Sequence, residues 1–309
     1  MTPQLSIVVP CFDEESGLEH AIRHVHGLCR AAGLSHEIVV IDDGSTDRSW
    51  EIVRAVSQSI PEVRAFRFSR NFGHEAATSA GLKESRGEQV LILDADLQDP
   101  PELIEAMRSR LAEGFDVVYG VRRSRAGESW LKLASAKLFY RVFNLLTDNP
   151  IPEDTGDFRL MSRRAVNAFL ALPESGRFFR GMVGWIGFPQ TGLLYDRASR
   201  QSGHTKYNFG RLVKLCIDAI AGFSVRPLRI AFWTSFIFFL SALVLLAVVV
   251  IDWIAGKPSP GNNTGLITII LITGGIQTLL IGIIGEYLGR LFLESKGRPL
   301  YIIRDEITK

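Results

Sequence analysis

Short apolar runs alternate with helix-period patterns along the first part of the chain. Leu5-Ser6-Ile7-Val8-Val9 reads as a strand buried on both faces. Leu18, Ala21, Ile22, Val25, Leu28 and Cys29 then recur at helical spacing, and Gly33 is placed to cap that helix. Ile38–Ile41 predicts a second strand, Trp50, Val53 and Val56 a second helix, and Val63–Phe68 a third strand. Ala76, Ala77, Ala80 and Gly81 predict a helix that packs closely through small residues, followed by a strand at Val90–Leu93. Asp99-Pro100-Pro101-Glu102 carries the marks of a helix start, with Asp99 as cap and Glu102 at the capping-box position; Val117–Tyr119 is a fifth strand. This alternation predicts an α/β domain with a mainly parallel sheet covered on both faces. Ligands of such sheets bind beyond the carboxyl ends of the strands, where Pro10–Glu15, Asp42-Asp43 and Asp94-Ala95-Asp96 fall.

The pattern changes after residue 225. Ile230–Ile251 is an uncharged run of 22 residues. It is about 33 Å long as a helix, against a hydrocarbon core of about 30 Å. Leu266–Ile284 is also uncharged, and Glu286 and Arg290 mark its end. Two transmembrane helices, about 230–251 and 266–288, are expected within a 226–290 membrane region. A catalytic domain at 1–225 precedes it and a tail at 291–309 follows. Arg226 and Arg229 flank the first span, and Arg290, Lys296 and Arg298 follow the second, whereas the connecting loop has only Lys257. The positive-inside rule then puts both termini and the catalytic domain on the cytoplasmic side of the membrane. Two stretches mixing basic with aromatic or aliphatic residues, near 130–146 and 209–225, suit helices lying at the lipid bilayer surface.

Composition adds exclusions. A net charge of +2 over 309 residues with no Lys/Arg-rich run gives no footprint for nucleic acid. Cys11, Cys29 and Cys216 match no metal or redox spacing and are expected as buried thiols in a reducing compartment. The N-terminus lacks a basic segment followed by a long apolar one, in keeping with a cytoplasmic N-terminal domain.

The candidate chemistry centres on Asp94-Ala95-Asp96. Two carboxylates one residue apart at a strand end can face one ligand, and a hard divalent cation balances their charge. Mg²⁺ or Mn²⁺ so held can bridge to a diphosphate and offset the charge of a departing nucleotide. Around this pair stand Val8-Val9-Pro10 with Asp13-Glu14-Glu15, Val40–Asp47, Ser69-Arg70-Asn71-Phe72-Gly73-His74 and Asp94–Glu102. Thr155-Gly156-Asp157-Phe158-Arg159-Leu160 and Gly203-His204-Thr205-Lys206-Tyr207 follow. As an ordered set these motifs resemble the family 2 glycosyltransferases of the GT-A (Rossmann-like) fold, in particular the polyprenyl-phosphate hexose synthases. That group includes dolichyl-phosphate mannose synthase and the GtrB-like bactoprenol glucosyl transferases, whose C-terminal pair of spans is matched too.

The resemblance implies an inverting transfer of a hexose from a nucleotide-sugar donor to polyprenyl (undecaprenyl) phosphate. It leans toward UDP-glucose, with GDP-mannose, UDP-N-acetylglucosamine or a modified pentose donor open. It implies that Pro10, Phe12, Glu14 and Asp43 hold the base and ribose, while Asp42 is open between that role and capping its turn. It assigns Asp94, Asp96 and Gln98 to the metal and diphosphate, and Arg122 to the diphosphate with Arg123 as rival. Arg200 and Lys206 are implied for the lipid phosphate. Asp157 falls where the family places its presumed base. A phosphate monoester, with a second pKa of about 6, is mostly dianionic at neutral pH. Asp157 is therefore expected to orient the sugar or acceptor and to take a proton only from the monoanion. His74 and His204 read as hydrogen-bonding side chains. A processive polysaccharide synthase would carry a Gln-x-x-Arg-Trp motif, and a nucleotidyltransferase a glycine-rich N-terminal loop; neither occurs. The tail Arg298–Ile307 is a candidate strand for pairing with another subunit in a homo-oligomer.

Overall fold

A computed structural model describes residues 2–123, 155–174, 176–196, 224–255 and 263–308, with positions 141 and 222. Both amphipathic stretches lie almost wholly outside the described residues, as do Arg200, Lys206, His204 and Cys216. The chain divides into two compact units, one built on the sheet and including the C-terminal strand, the other on the two long apolar helices.

The first unit is a mixed, mainly parallel α/β sheet. β1 (Leu5–Cys11), β2 (His36–Asp42), β3 (Val63–Phe68), β4 (Gln89–Ile92) and β5 (Val117–Arg122) are the strands that the apolar runs predict. β6 (Thr155–Ser162), β7 (Gln190–Tyr195) and β8 (Ile303–Ile307) complete the order β7-β5-β6-β4-β1-β2-β3-β8. β1 and β2 are buried at every position, as central strands covered on both faces must be. β1 pairs in parallel with both β2 and β4, and β2 with β3, so their carboxyl ends share one edge. β6 runs antiparallel between β4 and β5, with Ile92 opposite Arg159. Continuing that register by two residues brings Asp157 to the same edge as Asp94.

Helices α1 (Leu18–Ala31), α2 (Ser49–Ser59), α3 (His74–Glu84) and α4 (Ile104–Ala112) fill the crossovers, and α5 (Arg163–Leu170) and α6 (Phe179–Trp185) follow β6. Gly33 ends α1 in the left-handed region, as expected. The small-residue helix α3 packs hard on β1: a Cβ at Gly81 would lie 2.1 Å from Val8 Cγ1. Gly81→Ala is thus expected to cost about 1–3 kcal/mol by overpacking, read as a lower thermal midpoint. An unchanged midpoint would contradict this close approach.

Two expectations change. Asp99 and Glu102 do not form a capping box. Asp99 turns inward to accept from the Tyr195 hydroxyl, Glu102 pairs with His24 Nε2 at 2.8 Å, and the short 3-10 turn Pro101–Leu103 has no side-chain cap. A buried phenol outcompetes a solvated helix end for that carboxylate. The tail strand β8 pairs antiparallel with β3 of its own sheet, covering an edge that would otherwise present unpaired backbone groups.

The second unit contains α7 (Arg226–Ile254) and α8 (Asn263–Ser295), both long and apolar enough to cross a membrane. They extend past the predicted spans at both ends. Phe232, Trp233, Ile237, Leu279 and Ile281 are all exposed. The hydroxyls of Ser235, Thr273 and Thr278 donate to carbonyls of their own helices at 2.8–3.0 Å, the internal satisfaction a hydrocarbon solvent demands.

Candidate active site

The carboxyl edge of the sheet opens into a cavity of about 350 Å³ lined by Pro10 and Cys11 at the end of β1, Phe12 just past it, Asp43 after β2, and Asp94, Ala95 and Asp96 after β4. Glu14, Asn71, Gly73, His74 and Ala77 complete the wall. Six predicted site residues, Pro10, Phe12, Glu14, Asp43, Asp94 and Asp96, therefore meet in one place. Phe12 keeps 38% of its surface exposed, which leaves its ring available to a ligand rather than spent in the core.

The cavity loops are braced by carboxylates. Asp42 accepts the Ser45 N–H at 2.8 Å and meets Arg67 Nε at 3.3 Å, so it caps its own turn. Asp43 reaches forward instead, accepting the Phe72 and Gly73 N–H groups at 2.7 and 2.9 Å. Asp13, at φ 54, accepts the Thr46 N–H at 2.8 Å and tethers the β1 loop to the β2 loop. Gly44, at φ +72, admits the Arg70 backbone, which would stand 2.5 Å from a Cβ there. Leu97, at φ 49, lies just past the Asp94–Asp96 pair, where left-handed backbone in a branched residue marks a strained turn.

Asp157 stands at the start of β6 and is held by two cations. Arg180 of α6 grips it with Nε–Oδ1 at 2.9 Å and Nη2–Oδ2 at 3.4 Å, and His74 Nε2 lies 3.5 Å from Oδ2. Burial opposes its charge, but Arg180 first and His74 next outweigh that and hold the carboxyl well below the usual range. The same His74 Nε2 is 3.8 Å from Asp94 Oδ1. Burial works against charging this imidazole, yet its hydrogen bond to Asp157 and the charges of Asp94, Asp157 and Glu75 lift it to about 9. Asp94 is pushed up to about 6 by desolvation, with Asp157, Asp99 and Asp96 adding to the effect and His74 opposing it. Glu75 accepts the Phe179 N–H at 3.2 Å and is raised to about 7 by burial and by the charge of Asp157.

Three predicted residues lie outside the cavity lining: Asp157, which reaches its wall through His74, and Gln98 and Arg122. Gln98 is buried, and its backbone N–H donates to Asp96 Oδ1 at 3.2 Å. Arg122 donates from Nε to the Tyr195 hydroxyl at 3.4 Å and approaches Asp99 to 4.0 Å. Its Nη2 lies 3.0 Å from where a Gly156 Cβ would stand, so the glycine before Asp157 makes its room. Arg123 instead meets Asp196 at the surface.

Among the described residues no cluster of three or more His, Cys, Asp or Glu side chains is arranged to hold a metal. The Asp94–Asp96 pair nevertheless fits Mg²⁺ or Mn²⁺. Both offer hard oxygen donors, Asp94 is desolvated among other carboxylates, and such ions commonly bind one or two protein carboxylates with substrate phosphates completing the shell. Arg180, Glu75 and Tyr195 were not expected at the site. They sit in no local motif, and only the tertiary fold brings them to Asp157 and Asp99.

The chain matches the Glycosyl transferase family 2 profile over residues 6–170 and the GtrB C-terminal hairpin profile over residues 226–291. It is 42% identical to an uncharacterized glycosyltransferase of Synechocystis sp. over 99% of this chain and 96% of the relative. It is 38% identical to the bactoprenol glucosyl transferase of Shigella phage SfV over 99% of this chain and 100% of the relative. Mannosyl-3-phosphoglycerate synthase from Rubrobacter xylanophilus shares the fold at a TM-score of 0.50 and 19% identity, with 74% of each chain covered. A GT-A sheet with acidic strand ends, a C-terminal apolar hairpin and these near-full-length matches lead to one conclusion: the chain belongs to the family 2 glycosyltransferases, and is a membrane-associated enzyme of the GtrB-like branch.

Proposed function

We propose that this glycosyltransferase moves glucose from UDP-glucose to undecaprenyl phosphate at the cytoplasmic face of the membrane, with inversion at the anomeric carbon. The observation that carries it is the match to the phage bactoprenol glucosyl transferase, which runs through both the acidic cavity and the apolar hairpin. Phe12 packs the base. Pro10, Glu14 and Asp43 shape the nucleoside end. Asp94 and Asp96, with Gln98 bracing Asp96, hold Mg²⁺ or Mn²⁺ against the donor diphosphate, and Arg122 adds a forked cation suited to phosphate oxygens. When bound, the metal offsets negative charge on the leaving nucleotide. Arg200 and Lys206 receive the acceptor phosphate. Basic residues flanking the spans, against the single Lys257 between them, favour a catalytic domain on the cytoplasmic side.

The acceptor's charge sets what the chain has to do. A dianionic phosphate oxygen attacks the anomeric carbon as the bond to the diphosphate breaks. The product phosphodiester and the nucleoside diphosphate together carry the charge of the reactants, so no proton moves. Asp157, pinned by Arg180 and His74, then serves to position the sugar or acceptor.

The test is a panel of UDP-glucose, UDP-N-acetylglucosamine and GDP-mannose, each radiolabelled, against vesicles containing undecaprenyl phosphate. Label is expected in the lipid phase with UDP-glucose and is expected to vanish on chelation. No lipid-phase label with any donor would overturn the proposal, and transfer that survives chelation would remove the metal from it.

A further inference from the structure

The loop Ser69–Gly73, with His74 at the head of α3, supplies Asn71, Gly73 and His74 to the cavity. From the cavity side it is tied by Asp43, which takes the Phe72 and Gly73 N–H groups. Its other side is closed by the C-terminal segment. The Ser69 N–H donates to the Ile302 carbonyl at 2.9 Å. The Tyr301 ring stacks on Phe68 with centroids 4.9 Å apart and planes 12° apart, and Phe68 meets Phe72 edge-on at 5.7 Å. Leu300 and Ile303 pack against the same cluster, which includes Ala76 and Ala77 of α3. Among the described residues the buried Tyr301 hydroxyl has no hydrogen-bond partner. A phenol whose hydroxyl costs desolvation and gains no bond is held there by its ring.

We propose that Tyr301 and the Ile302 carbonyl are positioning elements for the donor cavity, so that nucleotide binding depends on a segment immediately following the second apolar helix. The path is short and physical. Tyr301 fixes Phe68, Phe68 fixes Phe72, and Phe72 presents its N–H to Asp43 while carrying Asn71 and His74 into place. Between the tail and the cavity loop the contacts run through the rings of Phe68 and Phe72. The assignment rests on the cavity being the donor site.

The test uses the full chain in detergent micelles, with UDP and GDP titrated calorimetrically in the presence of Mn²⁺, alongside donor KM and kcat. Tyr301→Ala is expected to weaken nucleotide binding and raise donor KM on the order of tenfold, the scale at which displaced positioning groups are felt, with kcat little changed. Tyr301→Phe keeps the ring, so it is expected to bind as the unaltered protein does and to melt no lower. Ile307→Ala loosens the far end of β8, the strand that follows Tyr301 and Ile302, opposite Ala65, and is expected to leave nucleotide affinity unchanged. Should Tyr301→Ala fail to fold, Tyr301→Leu keeps apolar bulk without a flat ring and is expected to show the same rise. Unchanged affinity in the Ala or Leu variant overturns the proposal. So does an equal loss in Ile307→Ala, which would mean general loosening, or a loss in Tyr301→Phe. An unaltered protein that binds neither nucleotide would overturn the donor-site assignment and this inference with it.

Discussion

Asp94→Asn and Asp96→Asn are each expected to lower transfer by about three orders of magnitude or more, the scale seen when a preorganised charge at a developing anion is removed. Asparagine keeps the shape and loses the charge that would hold the metal. For Asp94 the same change is expected to stabilise the metal-free fold. Its carboxyl is pushed up to about 6 by desolvation and by three neighbouring carboxylates, so the folded state disfavours its ionised form. A raised carboxyl pKa removes stability as pH climbs from the unfolded value through the folded one. The gain from Asp94→Asn is therefore present near neutral pH and absent in acid. The side chain is 34% exposed, and with that solvent screening the gain is on the order of 1 kcal/mol. Activity and stability should move in opposite directions, as expected of a site strained for function. Lipid-phase label and a thermal midpoint in chelator, measured on the same preparation, check both. Near-normal transfer by either variant in Mg²⁺ would exclude the metal assignment.

How far the sequence foretold this follows from where each residue finds its partners. β1, β2 and β4 were legible from continuous apolar runs at their buried centres, and β3 and β5 from the aliphatic and aromatic residues that dominate them despite Arg64, Arg67 and Arg122. β6 was not, because Asp157 and Arg159 stand inside it and broke the apolar run that would have marked it. β8 was legible as a candidate strand, but its alternation of half-buried and exposed positions with Arg304, Asp305 and Glu306 did not name β3 as its partner. In the site, Asp94, Asp96, Asp43 and Phe12 follow strands and could be placed by topology alone. Asp99 carried a sound local signal for a helix cap, yet its partner, Tyr195, lies 96 residues away. Arg180 had no signal at all. Its meaning exists only once α6 packs beside β6. His74 was visible as a polar residue, but its charge is set mainly by Asp157 in β6 and Asp94 after β4, which no local window around it contains.

Asp157→Asn is expected to reduce transfer by about two orders of magnitude, a loss typical of misplaced reacting groups, and by the same factor from about pH 5.5 to about pH 8. Arg180 and His74 keep Asp157 ionised throughout that window, and a carboxylate bound this firmly to an arginine is a weak proton acceptor. The acceptor phosphate, with a pKa of about 6, supplies its own nucleophile over most of the range. A loss that deepens as pH falls below 6 would instead restore Asp157 as the base for the monoanion. Stability gives an independent check, because its sign is opposite to that of Asp94. A carboxyl held below its unfolded pKa contributes stability that is present above that unfolded value and lost as pH falls through the folded one. Removing its charge leaves Arg180 and His74 facing each other without their shared anion. Breaking such a pair costs about 3–5 kcal/mol when fully buried, and less here because Arg180 is 31% exposed. The thermal midpoint of Asp157→Asn should therefore fall where that of Asp94→Asn rises, although His74 touches both carboxylates. Arg180→Gln separates position from charge. It frees Asp157 to titrate nearer the ordinary range, and it should lose transfer even though the carboxylate remains. Full activity in that variant would mean that the grip of Arg180 on Asp157 has no part in the reaction.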